Sequence, residues 1–175
     1  MTLQPTVTTL RRFEQTGAEP SERRPAASWP AIEERLERGE ATTWLGLRTS
    51  EGVHTRPVFA AWTGTSFVHA SNPGAVKTRH LDSGGRCSLA LHLDDLHVVV
   101  EASPVRLTAP DDLARAVAAF EAVYGWPTKV IGDQLDAPYA APTSGGPPFR
   151  VYELTPVRAH AFPTEDQVEP TRFAF

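Results

Sequence analysis

ATTWLGLRTSEGVHTRPVFAAWTGTSFVHASNPGAVKTRHL, residues 41–81, changes character three times, and those changes decide the fold. TTWLGLRT (42–49) is rich in β-branched and aromatic residues and runs into Ser50-Glu51-Gly52, a hairpin signal. VHTRPVFAAW (53–62) reads as the returning strand, Thr63-Gly64-Thr65 as a turn, and SFVHAS (66–71) as a third strand. Ser71-Asn72-Pro73-Gly74 must then be a loop, and AVKTRHL (75–81) fits a turn or two of helix after it.

The pattern extends on both sides. Upstream, WPAIEERLERGE (29–40) places Trp29, Ile32 and Leu36 on one helical face, with Pro30 suited to the first turn and Gly39 to the stop. Residues 1–27 lack a clean period and read as a flexible or draped arm, which leaves 28–175 as the domain. Downstream, Ser83-Gly84-Gly85 breaks the chain, CSLALHL (87–93) and HVVVEASPVRL (97–107) are strands, and Asp94-Asp95 is the turn between them. TAPDDLARAVAAFEAVYG (108–125) predicts a second helix, with Thr108 as N-cap and Asp111 three residues on. Leu113, Val117, Phe120 and Tyr124 form its apolar stripe, and Gly125 ends it. Residues 126–148 are rich in Pro and Gly and read as loop, and FRVYELTPVRAHAF (149–162) as a last strand or strand pair bent at Pro156.

Short strands with hairpin turns predict a mainly antiparallel sheet. An open antiparallel sheet leaves one face wet, yet Val98-Val99-Val100 is apolar on both. A barrel covered outside by the second helix or by a second copy of the chain reconciles the two. Phe173 and Phe175 in the terminal five residues point to the second copy as their cover.

Composition narrows the classes. Of the 175 residues 41% are hydrophobic and 22% charged, enough apolar material for a core and too much for a disordered chain. No apolar run is long enough for a membrane span, and MTLQPTVTTLRRFEQTG has no signal-peptide core. Cys87 is the single cysteine, so no intrachain disulfide forms, and a reducing cytoplasm is the expected location. A net charge of −4 does not suggest nucleic acid as partner. Of the 17 basic residues only Lys77 and Lys129 are lysine, so a retained lysine hints at a position that wants a compact ammonium.

Chemistry concentrates in HASNPGAVKTRHL (69–81). A strand runs into a loop that opens a helical turn, and free N–H groups there, with Lys77 or Arg79, suit a phosphate. The two cations diverge by about 200° on a helix, so only one can face a given anion. Taken alone, such a turn is more often solvated surface than a site. Arg56, in the middle of an apolar strand, must point outward, the commoner arrangement, or meet an anion or acceptor, and Pro57 marks a strand edge or bulge where a ligand can approach. His92 and His97 flank a turn and His69 lies on a neighbouring strand, but H-x-x-x-H and H-E-x-x-H are absent, so no metal is expected. Cys87 reads as a small core residue. No G-x-S-x-G elbow is present.

The order of these pieces resembles the pyridoxamine 5′-phosphate oxidase-like split-barrel superfamily, and within it the actinobacterial flavin- and deazaflavin-dependent oxidoreductases. The resemblance spans Trp29 to Phe175 and rests on K-T-R-x-L after the strand and loop, on VVVEA, on the helix ending VYGW, and on the terminal TRFAF. It implies a six-stranded antiparallel, Greek-key split β-barrel with flanking helices, working as a homodimer with FMN between subunits. By position, Lys77 and the adjoining Thr78 match the phosphate-binding segment, and Arg56 and Val58 the strand beside the ring system. His69, Ala70 and Ser71 match the strand end at the phosphate, His97 a polar position near the ring, and Arg172 and Phe173 the tail that covers the partner's site. The family's Arg-Lys pair is Val76-Lys77 here, its tail tryptophan is Phe173 and its second tail arginine Ala174. The residues that bind the substrate phosphate of the vitamin B6 oxidases have no match. The implied activity is a flavin-dependent oxidoreductase acting on a small molecule. The deazaflavin F420 in place of FMN, and a non-catalytic flavin or haem carrier, are the alternatives.

Overall fold

A computed structural model describes residues 3–10, 24–50, 52–141 and 144–175. In chain order the elements are β1 (Thr6–Thr9), α1 (Trp29–Glu37), β2 (Thr42–Thr49), β3 (Gly52–Pro57), β4 (Ala60–Trp62), β5 (Phe67–Ser71) and α2 (Val76–Asp82). There follow β6 (Cys87–Leu93), β7 (Leu96–Leu107), α3 (Pro110–Tyr124), β8 (Lys129–Ile131), β9 (Gln134–Asp136), β10 (Arg150–Pro163) and β11 (Thr171–Ala174). No helix among the described residues is long and apolar enough to cross a membrane.

The main sheet is antiparallel in every pairing, with the order β1-β11-β10-β7-β6-β2-β3. β10 organises it. One edge pairs with β7 along almost its whole length, while the other takes β5 at Arg150–Leu154 and β11 at Arg158–Ala161. The bend expected at Pro156 is a register shift between Pro156 and Arg158, which turns the strand from one neighbour to the other. Nine strands therefore form the sheet among the described residues, where six were expected, and the hydrogen-bonded path does not close.

Alternation sets the core. In β7, Val98, Val100 and Ala102 are fully buried while Val99 on the outer face is half-buried. α1 closes one end of this core. Ser28 caps it by accepting from Ala31 N–H, Pro30 sits in its first turn, and Trp29, Ile32 and Leu36 face inward. Trp29 lies against Trp62, Phe173 and Phe175, with ring centroids 6.1, 5.3 and 4.7 Å away.

Four expectations are corrected. VHTRPVFAAW is not one strand: it breaks at Val58-Phe59, where Val58 N–H bonds to Thr43 O, and β4 leaves to pair with β5. Ala109, not Thr108, is the N-cap of α3, without a side-chain bond; Pro110 and Asp111 in the first turn set the start. The loop at 126–148 contains the β8–β9 hairpin. The tail aromatics are covered by this chain's own Trp29, so they give no argument for a second copy. As for the amino-terminal arm, residues 1–2 and 11–23 lie outside the described residues, while β1 pairs with β11 and Ala26 bridges to Glu169.

Candidate functional site

A cavity of about 500 Å³ opens where β3 ends, between the break at Val58-Phe59, the end of β5, the start of α2 and the segment that follows α3. Each wall has a local cause. Pro57 cannot donate to a ladder, so β3 ends there and Val58 and Phe59 line the space instead. Gly125, with φ of +58°, stops α3 and turns the chain so that Trp126 faces back.

One half of the cavity is aromatic. Phe59 stacks on Tyr124 at 4.2 Å, and Trp126 meets Phe59 at 5.8 Å, Phe120 at 5.2 Å and Phe149 at 5.5 Å. The polar edges of these rings are occupied. Tyr124 Oη accepts from Ala60 N–H at 3.0 Å, and Trp126 Nε1 donates to Tyr139 O at 3.0 Å. Burial pushes the Tyr124 phenol up, opposed by its bonds to Ala60 and Thr43. What faces the space is flat and apolar.

The other half is polar and carries one full charge. Lys77, half-buried in the first turn of α2, is the only permanently charged residue in the lining among the described residues, and none of these lining residues is a carboxylate. Burial, and then the nearby Arg56 guanidinium, pull its ammonium below the usual lysine range. Arg56 itself is exposed on β3 and donates to Thr55 O.

The mount of Lys77 is firm at both ends of α2. Thr78 Oγ1 donates within reach of Ser71 Oγ at 2.7 Å and Asn72 O at 2.6 Å. At the far end, Asp82 receives Tyr152 Oη at 2.6 Å and Arg150 Nη1 at 2.5 Å. Asn72 closes the rim: its Oδ1 accepts from Gly74 N–H, and its Nδ2 donates to Gly146 O at 2.6 Å. Gly145 must be glycine, because φ is +77° and a Cβ would come within 3.0 Å of Asn72.

His69 is fully buried in the cavity wall. Its Nδ1 lies 2.9 Å from Phe59 O, which fixes that nitrogen as the donor and leaves Nε2 as a buried acceptor without a partner among the described residues. Burial lowers its pKa to about 4, so it stays neutral beside Lys77.

Of the residues singled out from the sequence, Val58, His69, Ala70, Ser71 and Lys77 line the cavity, and Arg56 stands beside Lys77. The structure does not bring the other four to it within this chain. Thr78 is buried with its hydroxyl spent on the loop. His97 faces outward at the β6–β7 hairpin, against His92. Arg172 is exposed on β11, and Phe173 lies in the core against Trp29. Arg79, two residues beyond Lys77, is exposed and bonds to Gly74 O. The sequence reading missed Asn72, Tyr124, Tyr139, Ser144 and Phe149. Tyr124 at the end of the apolar stripe of α3, just before the Gly125 stop, was the available signal.

No family model matches the chain, and no curated protein matches it. Solved structures do. A NimC/NimA family protein from Clostridium acetobutylicum is 11% identical, with a TM-score of 0.57 over 83% of this chain and 91% of that one. A pyridoxamine 5′-phosphate oxidase-related, FMN-binding protein from Nostoc punctiforme is 15% identical, with a TM-score of 0.51 over 85% and 97%. An FAD-binding protein from Mycobacterium smegmatis is 14% identical, with a TM-score of 0.52 over 85% and 98%. At such identities the likeness is one of fold, and the chain shares the fold of these structures, the pyridoxamine 5′-phosphate oxidase-related protein among them.

Proposed function

We propose that the cavity binds FMN and that the protein is a flavin-dependent oxidoreductase acting on a small molecule. The observation that carries this reading is Lys77, a half-buried cation held firmly at a cavity whose lining, among the described residues, offers no carboxylate. A desolvated charge without a counter-charge is costly, and a ligand phosphate supplies the missing anion. The aromatic half accommodates a flat ring, and the volume lies in the range of small-molecule sites.

Bound flavin would supply hydride and electron transfer. The chain's part is to hold and to shield. Lys77 holds the phosphate, with the Arg56 charge reinforcing it. Val58 and the Phe59–Tyr124 stack set the plane of the ring, and Trp126 and Phe149 keep water from that wall. Asn72 ties the Ser144–Pro148 segment over the rim. Among the described residues no nucleophile with an adjacent base lines the cavity, which suits chemistry carried by a cofactor.

The FMN-binding Nostoc structure and the FAD-binding Mycobacterium structure support a flavin on this fold. FMN is favoured over F420 because a single charge in the lining suits one phosphate better than a polyglutamate tail. The homodimer belongs to the same proposal. β3 is exposed on nearly every residue, and Trp44, opposite Pro57 on the outer sheet face, is exposed beside it, a surface suited to a second copy. The cytoplasm is the proposed location, where a buried thiol such as Cys87, pushed up to about 12, stays inert.

The test is direct: record the visible absorption of purified protein, titrate FMN and F420, and follow reoxidation of the reduced complex by stopped flow. Saturable FMN binding with acceptor-dependent reoxidation faster than free cofactor is expected. Binding without turnover leaves a carrier, and indifference to both cofactors overturns the reading.

A further inference from the structure

The tip of the β6–β7 hairpin carries a pair of histidines that the cavity does not use. Leu93 and Leu96 close the hairpin and point into the core, where both are buried. Strand alternation therefore turns the next pair, His92 and His97, to the outer face, directly opposite each other. Their Nδ1 atoms are 3.2 Å apart and the rings lie within 28° of parallel. The turn is held from outside, since Asp95 is bridged to Arg35 of α1 at 2.5 Å.

We infer that His92 and His97 form a bidentate site for a borderline divalent cation such as Zn²⁺, Ni²⁺ or Cu²⁺. Two imidazole nitrogens bound to one tetrahedral Zn²⁺ stand about 3.3 Å apart, given Zn–N bonds of 2.0–2.1 Å. The hairpin presents its two nitrogens at nearly that bite before any ion arrives. Helical ligand spacings miss such a pair, because a five-residue separation brings side chains together only across a two-residue turn. No group of three or more metal-capable side chains occurs among the described residues, so water fills the remaining positions and the ion exchanges freely. Imidazole donors select the later first-row metals over Mg²⁺, with Cu²⁺ tightest.

The experiment is calorimetric titration of the full chain, without an added histidine tag, by Zn²⁺, Cu²⁺ and Mg²⁺. One equivalent of Zn²⁺ is expected to bind, Cu²⁺ more tightly, and Mg²⁺ not at all. His92→Gln and His97→Gln each remove one arm of the chelate and should weaken Zn²⁺ binding by about a hundredfold or more. His160→Gln, on the same face one pair further along, should bind as the wild type does. Both hairpin histidines are exposed, so the melting temperatures of the ion-free variants should match the wild type. Wild-type affinity in either hairpin variant, or no saturable Zn²⁺ binding to the unaltered chain, overturns the assignment.

Discussion

Two tryptophans organise two aromatic clusters, and the clusters do opposite things. Trp29 meets Trp62, Phe173 and Phe175 in close packing: the first three are buried, and chain tail and helix meet over one end of the core. Trp126 meets Phe59, Phe120 and Phe149, yet its neighbourhood stays open by about 500 Å³ with a lysine on the rim. Aromatic content is the same in kind. The difference is that Trp29, Trp62 and Phe173 are buried among one another, whereas the stack of Phe59 on Tyr124 lines a cavity. Closed packing serves stability, and incomplete packing beside an unmatched cation serves a ligand.

α2 repeats the contrast in charge. Arg150 at one end is matched by Asp82, which Tyr152 also binds, and burial with that bond pushes the Tyr152 phenol up. Lys77 at the other end has no carboxylate among the described residues of the cavity lining.

The comparison can be broken first at Trp29. Trp29→Ala should cost about 3–5 kcal/mol of stability, read from urea unfolding, with flavin affinity unchanged in the folded protein. Parallel loss of affinity would show the two clusters to be one unit.

His69 gives the next largest effect. Its pKa is lowered to about 4 from an ordinary 6.5, so the unfolded chain takes up a proton over that interval and the folded chain does not. The stability it confers is complete above pH 6.5 and falls by roughly 3 kcal/mol as the pH drops toward 4. Urea unfolding at pH 7 and pH 4 should show this loss in the wild type and a smaller one in His69→Gln.

Lys77→Ala should cost about 1.5–3 kcal/mol in FMN affinity, the worth of one charge-assisted bond, measured by fluorescence titration. Unlike Trp29→Ala it should leave stability intact, because it removes a desolvated cation with no partner in the cavity. Its lowered pKa adds a sign: FMN binding should weaken as the pH rises through a value below the lysine norm of 10.5. The smallest effect is at Tyr124. Tyr124→Phe keeps the ring stack and removes the acceptor of Ala60 N–H, for a loss of about 1 kcal/mol in urea unfolding.

Much of the frame was legible from residue order. The α1 stripe of Trp29, Ile32 and Leu36, the alternation of Val98 and Val100, and the Ser71–Gly74 loop before a lysine-bearing turn are local signals, and local signals survive folding. The cavity's aromatic half was not legible. Phe59 and Tyr124 lie far apart in the chain, and their stack depends on the break at Val58-Phe59, where Val58 N–H turns to Thr43 O. The tail was misjudged for the same reason. Phe173 and Phe175 looked uncovered because nothing local says that Trp29 will meet them. Thr78 matches the phosphate-binding segment by position, and within this chain its hydroxyl braces the loop beneath Lys77, a contact that only the folded turn reveals.

The central claim is that Lys77 reads a phosphate. The most direct measurement compares affinities for FMN and for riboflavin, which lacks the phosphate, in wild type and in Lys77→Ala. The expected result is a preference for FMN in the wild type that collapses in the variant, with riboflavin affinity equal in both proteins. An equal preference for FMN in the two proteins would contradict the account.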